Sequence, residues 1–326
     1  MKELIEKKNT QSESRSFSVL STEKCVVNPT TTVHKSVLLK EIIEGLSLKP
    51  GDTYLDCTIN AGGHAKALAQ TLEGNLRIIG FDQDSEGIAR AKHTLKNFKD
   101  VTLVEANFRT ADTVLQGLSI GTKLNGALFD LGLSSDQLET SQRGFSFKEH
   151  EPLSMTMSPG TALFTASHIA NEWEADSIAS IIKGYGEERY ARNIARAIVK
   201  AREVSPIRTS LELASIIKAA VPAKDRYKKI HPATKTFQAF RIAINDELES
   251  LREGLDGVWK HITPGGRLAV VSFHSLEDRI VKHWMLGEAK IGAGRVLTKR
   301  PLIGSEVEIK ENPRARSAKL RLIEKY

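Results

Sequence analysis

The segment Asp56-Cys57-Thr58-Ile59-Asn60-Ala61-Gly62-Gly63-His64 puts a carboxylate, a small-residue turn and an imidazole within nine positions. An apolar run, Tyr54-Leu55, leads into the acid, and a helical pattern begins after the glycines. In an open α/β sheet, ligands bind beyond the carboxyl ends of the strands, where such a turn lets backbone come close. A second apolar run, Arg77-Ile78-Ile79-Gly80-Phe81-Asp82, also closes on an acid. Its carboxylate is placed to accept hydrogen bonds from vicinal hydroxyls of a nucleoside. A third acid opens Asp130-Leu131-Gly132-Leu133-Ser134-Ser135-Asp136-Gln137, where a bound cofactor and a reacting group would meet. Ser134 and Ser135 also fit a helix cap, since Ser, Asp and Gly favour that position.

The glycine spacing does not match G-x-G-x-x-G, and no G-x-x-x-x-G-K-[ST] occurs. Dinucleotide and nucleoside-triphosphate readings are weakened, and S-adenosylmethionine (SAM) becomes the leading ligand. Helix N-terminal N–H groups at Gly62, Gly63 and His64 would favour its carboxylate. A fourth cluster, Ser272-Phe273-His274-Ser275-Leu276-Glu277-Asp278, ends another apolar run. Ser275 and Asp278 fit a capping box. That leaves His274 without a structural task, projecting near the ligand edge. Neither His274 nor His231 has metal-ligand spacing with another His or Cys, so no metal is expected.

The elements that must carry these groups alternate. Val37–Leu46 reads as an amphipathic helix, Thr53–Asp56 as a strand and His64–Thr71 as a helix. Arg77–Asp82 is a strand, and Ser85 caps a helix to about Lys96. Val101–Ala106 and Gly126–Leu131 are further strands. This alternation predicts a doubly wound parallel sheet, an α/β fold. It then stops for more than a hundred residues. Helices are expected at Trp173–Lys183, Glu187–Arg202, Ser210–Ala220 and Thr234–Leu255, before strand patterning resumes at Gly265–His274 and ends at Ala318–Ile323. The boundaries expected are a disordered tail at 1–32, a first sheet portion at 33–138, a helical insertion at 139–235 and a second sheet portion at 236–326.

The net charge of +7 is unevenly spread. Glu187–Arg241 holds 13 Lys/Arg against 5 Asp/Glu, and Ile291–Tyr326 holds 9 against 4. Clustered positive charge points to a phosphate-rich partner. Arg189, Arg192, Arg196 and Lys200 share one helix face, as a phosphate-binding stripe or an ordinary solvated face. Arg314 and Arg316 stand in a turn, suited to phosphate or to internal ion pairs. No apolar run approaches the roughly 18 residues of a membrane span. The two cysteines give no disulfide framework, which fits a reducing, cytoplasmic setting.

In order along the chain stand His34-Lys35-Ser36-Val37-Leu38-Leu39, Asp56 through His64, Phe81-Asp82-Gln83-Asp84, Phe129 through Leu138, and Arg143-Gly144-Phe145-Ser146-Phe147. Then come Tyr185-Gly186-Glu187-Glu188-Arg189, His231-Pro232-Ala233-Thr234 through Phe237-Gln238, Ser272 through Arg279, and Asn312-Pro313-Arg314-Ala315-Arg316-Ser317. Together they resemble the MraW/RsmH family of bacterial methyltransferases, from about His34 to Arg321. The resemblance implies a Rossmann-like class I SAM-methyltransferase sheet with an inserted helical, RNA-binding domain. It implies SAM contacts at Gly62, Gly63, His64, Asp82, Phe108, Asp130 and Gln137. The implied reaction is N4-methylation of a cytidine in the decoding region of 16S rRNA, at position 1402. The partner is then the small ribosomal subunit, with no membrane and no metal. Oligomeric state stays open, a homodimer included.

Two departures from the family pattern stand out. Asn60 and Ala61 replace residues that are mostly glycine. Glu151-Pro152-Leu153-Ser154-Met155-Thr156-Met157-Ser158 stands where the family has Gly-Pro-Leu-Asp-Met-Arg-Met-Asp. Asp130 is expected to accept the amine proton or orient the acceptor, with Ser134, Ser135 and His274 as further catalytic candidates. Phe145 and Phe147 are expected to stack on the unstacked base. Two other readings fit: a SAM methyltransferase acting on another amine, and an rRNA-binding assembly factor weakened in turnover by the altered 151–158 loop.

Overall fold

Parallel strands covered on both faces read as near-continuous apolar runs closing at a polar residue. The computed structural model bears this pattern out, and it describes residues 36–118, 123–139, 141–158 and 164–326. The expected tail at 1–32, and His34 and Lys35 of the first motif, lie outside the described residues.

The first half runs α1 (Leu39–Leu46), β1 (Thr53–Asp56), α2 (Gly63–Thr71), β2 (Arg77–Asp82), α3 (Ser85–Thr94), β3 (Val101–Glu105), α4 (Ala111–Gly117), β4 (Leu124–Asp130) and α5 (Ser135–Glu139). Five helices follow: α6 (Ala166–Glu172), α7 (Ala175–Gly186), α8 (Ala191–Val204), α9 (Ser210–Ala220) and α10 (Thr234–Asn245). The chain then returns to the sheet through α11 (Glu247–His261), β5 (Ile262–Ser272), α12 (Ser275–Lys290), β6 (Gly294–Val296), α13 (Glu306–Glu311) and β7 (Lys319–Lys325). The strand order is β3-β2-β1-β4-β5-β7-β6. β1 to β5 are parallel, while β7 runs antiparallel to both β5 and β6. The sheet is therefore mixed at one edge rather than parallel throughout.

Successive strand side chains point to opposite faces, and the core obeys this rule. Tyr54, Ile78 and Leu128 join Ile42, Leu68 and Leu95 of α1, α2 and their neighbour segment. Leu55, Ile79 and Phe129 join Leu115, Leu255 and Met285 of α4, α11 and α12 on the other side. Helices α6 to α10 build a separate apolar core around Ile169, Ile182, Ile198, Leu213 and Phe240.

Three local expectations change. The helix expected over Thr234–Leu255 is broken at Asp246, whose φ of 47° ends α10. Phe237 and Phe240 of α10 pack into the helical core, whereas Leu251 and Leu255 of α11 pack under the sheet. The break thus marks where the chain passes from one core to the other, and Arg109 donates to the Asp246 carboxylate there at 3.0 Å. The cap of α3 is Asp84, whose side chain accepts from Glu86 N, rather than Ser85. The cap of α12 is His274 with Glu277, one position ahead of the Ser275/Asp278 pair.

Candidate active site

Because β2, β1 and β4 are neighbours and parallel, their terminal acids Asp82, Asp56 and Asp130 come to one edge of the sheet. The turn after β1 is pinned to both flanking strands: Cys57 N donates to Leu128 O and Ile59 N to Phe81 O, each at 2.8 Å. Asn60 has a φ of 44°, and Asn tolerates that left-handed conformation better than most residues. So the turn is made without the glycine usual there. Gly62 also has positive φ, at 77°, and a Cβ on it would press Leu95 at 3.3 Å.

A cavity open to solvent lies beside these acids. Of the sequence candidates, Asp82, Phe108, Asp130, Ser134 and Gln137 line it. Gly62, Gly63, His64 and His274 are not among its lining residues. Asp82 accepts from Asn60 N at 2.8 Å and from Asp84 N at 2.9 Å, and burial pushes its carboxyl up to about 6. Phe108 stands edge-on to Phe129, with ring centres 5.3 Å apart, and forms one apolar wall. Asp130 N donates to Thr58 Oγ1 at 2.7 Å, which ties the third acid to the first turn.

Ser134 and Gln137 bond reciprocally. Gln137 N donates to Ser134 Oγ, and Ser134 N donates to Gln137 Oε1, each at 3.0 Å. Ser134 therefore has a capping task at the start of α5. The Ser135 side chain lies outside the described part. His274 caps α12: Glu277 N donates to its Nδ1 at 3.3 Å, and its Nε2 lies 3.2 Å from Glu277 Oε1. This supplies the structural task that the sequence reading did not find. It is Glu277, not His274, that reaches the cavity. Glu247, His274 and Glu277 are metal-ligand types within 4.8 Å of one another. However, Glu247 forms a two-armed bond with Arg241, at 2.7 and 2.8 Å, and His274 Nδ1 already accepts an amide hydrogen.

The far wall holds Met157, Asn245, Glu247, Ser250 and Arg314, none of which sequence reasoning placed in the cavity. Arg314 donates to the Leu133 carbonyl and lies 6.0 Å over the Phe273 ring. Phe145 and Phe147 are not brought to the cavity. Phe145 is buried in the helical core, and Phe147 stacks on His231 at 4.6 Å.

The divergent loop is held by other means than the charges it lacks. Arg143 grips both oxygens of Asp84, at 2.9 and 3.2 Å, and the Met157 carbonyl at 3.2 Å. Burial would raise Asp84, but hydrogen bonds from Arg143 and Gln137 hold its carboxyl below the ordinary range. Asn245 accepts from Met157 N at 2.8 Å and donates to Met155 O at 2.9 Å. Ser154 and Thr156, which stand where the family pattern has an acid and an arginine, pair their hydroxyls at 3.0 Å. Ser158 donates to Gln83 O at 3.3 Å.

The sequence profile of the MraW methylase family matches residues 31–326. The chain belongs to the MraW methylase family. A protein of Heliobacterium modesticaldum called ribosomal RNA small subunit methyltransferase H is 46% identical over 308 residues, covering 90% of this chain and 98% of the relative. One of the same name from a Paenibacillus species is 43% identical over 313 residues, covering 90% and 99%. An rRNA methylase structure from Streptococcus thermophilus aligns at 10% identity with a TM-score of 0.39, covering 88% of this chain and 93% of that one. At that level the alignment carries no argument. This methylase takes SAM as its methyl donor. Asp82 at the end of β2, Phe108 and Asp130 stand together in the cavity wall and are residues that could hold it.

No helix among the described residues of this methylase is long and apolar enough to cross a membrane. The Arg192, Arg196 and Lys200 side chains of α8 are exposed, while Ile194 and Ile198 on its other face are buried. Arg189 shares that exposed face but also pairs with Asp225.

Proposed function

We propose that this methylase transfers a methyl group to the exocyclic N4 of a cytidine in the decoding region of small-subunit rRNA. The observation that carries this reading is Asp130, a strand-end carboxylate in the wall of the cavity, beside the Ser134–Gln137 pair. The names of the relatives support small-subunit rRNA as the substrate. When bound, SAM supplies an electrophilic methyl carbon on a sulfonium.

The lone pair of an aromatic amine is delocalised into its ring, so the nitrogen is a weak nucleophile. Asp130 accepts the amine's hydrogen and localises that lone pair as the new bond forms. Asp82 holds the ribose, and Phe108 flanks the adenine. Most of the remaining gain is positioning for in-line transfer. A paired target must first be unstacked to enter the cavity.

The exposed stripe of α8 and the segment Lys224–Ile230 hold phosphates and a neighbouring base. Tyr227 is 84% exposed, with the Lys218 ammonium 5.0 Å over its ring. An aromatic ring presented to solvent among cations suits stacking on an unpaired base. The segment is tied to the site through Asp225, Arg189 and the α7–α8 junction, where Glu187 accepts from Ser275 and Arg279 at the start of α12.

The test is transfer of labelled methyl from SAM to small-subunit particles, with the product mapped by nucleoside mass spectrometry. N4-methylcytidine is expected. Label on another nucleoside or on protein would redirect the substrate. RNA binding without transfer, restored by S154D/T156R/S158D, would make the chain a binding factor.

A further inference from the structure

The resemblance places His64 among the SAM contacts, yet the residue is buried and is not among those that line the cavity. Its Nε2 lies 3.0 Å from the Val37 carbonyl oxygen. A carbonyl can only accept, so Nε2 carries a hydrogen. In the neutral ring Nδ1 is then a bare lone pair. That lone pair faces Asp130, with Nδ1 3.7 Å from Oδ2. Asp56, buried at the end of the adjoining strand, acts on the same ring electrostatically. Asp56 itself accepts from Thr58 N and from the Tyr54 hydroxyl, each at 3.1 Å.

The groups that face His64 are therefore Asp130 from β4, Asp56 from β1 and the Val37 carbonyl ahead of α1. Ser36, whose hydroxyl lies against Gly63, adds no charge.

We propose that His64 is a positioning residue for proton removal: it stores, on Nδ1, the proton that Asp130 takes from the substrate amine. The inference rests on the amine-methylation reading. In the step, the amine lone pair forms the nitrogen–carbon bond, and the sulfonium–methyl bond breaks with its electrons left on sulfur. One N–H proton moves to Asp130 Oδ2 and on to Nδ1, giving an imidazolium between two carboxylates. Water takes that proton when the product leaves. The 3.7 Å separation is longer than a hydrogen bond, and catalytic contacts commonly tighten when the site is loaded.

His64→Gln tests this, because its amide nitrogen can still donate to the Val37 carbonyl while the base is gone. Single-turnover rates between pH 5.5 and 9 are expected to fall about 100-fold, the low end of general base contributions. Binding of SAM and of RNA should stay within about threefold, and the acid limb of the rate profile should vanish. The double variant H64Q/D130N should be no slower than D130N alone, since residues that act as a unit are not additive. A rate within threefold of the parent, a loss explained by weaker SAM binding, or additive losses would overturn the inference. If the parent protein methylates no amine, the proposed function fails separately. Nitrogen-15 spectra of the ligand-free protein then judge the relay, which requires the tautomer with hydrogen on Nε2. Hydrogen on Nδ1 would overturn it.

Discussion

Asp56 and Asp82, on adjacent strand ends, take their hydrogen bonds from backbone N–H groups and a tyrosine hydroxyl. The acids that meet the helical body are instead matched by cations: Asp225 within it by Lys228 and Arg189, Asp84 just after β2 by Arg143, and Glu247 at the start of α11 by Arg241 of α10. The consequence is opposite titration. Burial pushes Asp56 and Asp82 up to about 6, while hydrogen bonds to cations hold Asp84 and Asp225 below the usual carboxylate range. Acids left unmatched at a ligand edge are costly to the fold and ready for a partner, which is a signature of functional sites. The matched acids fix the shape of a body that presents other groups.

The largest effect expected from breaking this contrast is on the matched side. Arg143→Met leaves the Asp84 carboxylate, 1% exposed, without its partner. Breaking one side of a buried pair costs about 3–5 kcal/mol. Urea unfolding should show that loss, together with faster proteolysis of the 151–158 loop.

On the unmatched side, Asp82→Ala removes the proposed acceptor for ribose hydroxyls. Charge-assisted hydrogen bonds of this kind are worth about 1.5–3 kcal/mol, so SAM affinity by calorimetry should fall about tenfold or more. Asp56→Asn should do the reverse for stability. Its amide can accept from Thr58 N and donate to the Tyr54 oxygen, as the carboxylate does not. The folded-state value near 6 lies above the ordinary 3.8, so the native protein binds the extra proton between those values. Stability of the parent therefore declines as pH rises through that window, and the penalty is complete above it. The variant should be more stable by about 2 kcal/mol at pH 7.5, with the difference gone below pH 4. Equal stability of the two proteins at pH 7.5 would remove the claim that Asp56 is strained.

The smallest effect sharpens the helical side. Tyr227→Ala should weaken binding of single-stranded rRNA fragments by roughly 1–2 kcal/mol without changing the salt slope. Charge removal at Arg192 and Arg196 should lower that slope instead. If Tyr227→Ala changes nothing, the exposed ring is not a stacking platform.

The strand-end acids could be read in the sequence because each closes an apolar run of β length, and the turn glycines announced themselves by type. The far wall of the cavity could not. Asn245, Glu247 and Arg314 lie more than a hundred residues downstream of the first motifs, and only the return of the chain to the sheet brings them in. The helix break at Asp246 was hidden for a related reason. Helical spacing continues on both sides, and the interruption comes from packing into two different cores. His274 escaped because a histidine is not among the residues that ordinarily cap helices, so the serine beside it looked like the cap. Phe145 and Phe147 show the opposite: aromatic side chains near a motif suggest a stacking surface, and here they pack in and against the helical core.

The measurement that bears most directly on the contrast is single-turnover methyl transfer by Asp130→Asn, with SAM binding measured on the same protein. The account predicts a rate at least about a thousandfold below the parent, with SAM affinity weakened no more than about tenfold, since an acceptor acts chiefly in the transition state. A rate loss fully matched by lost SAM binding, or transfer that persists, would contradict the assignment of Asp130 as the group that takes the amine's proton.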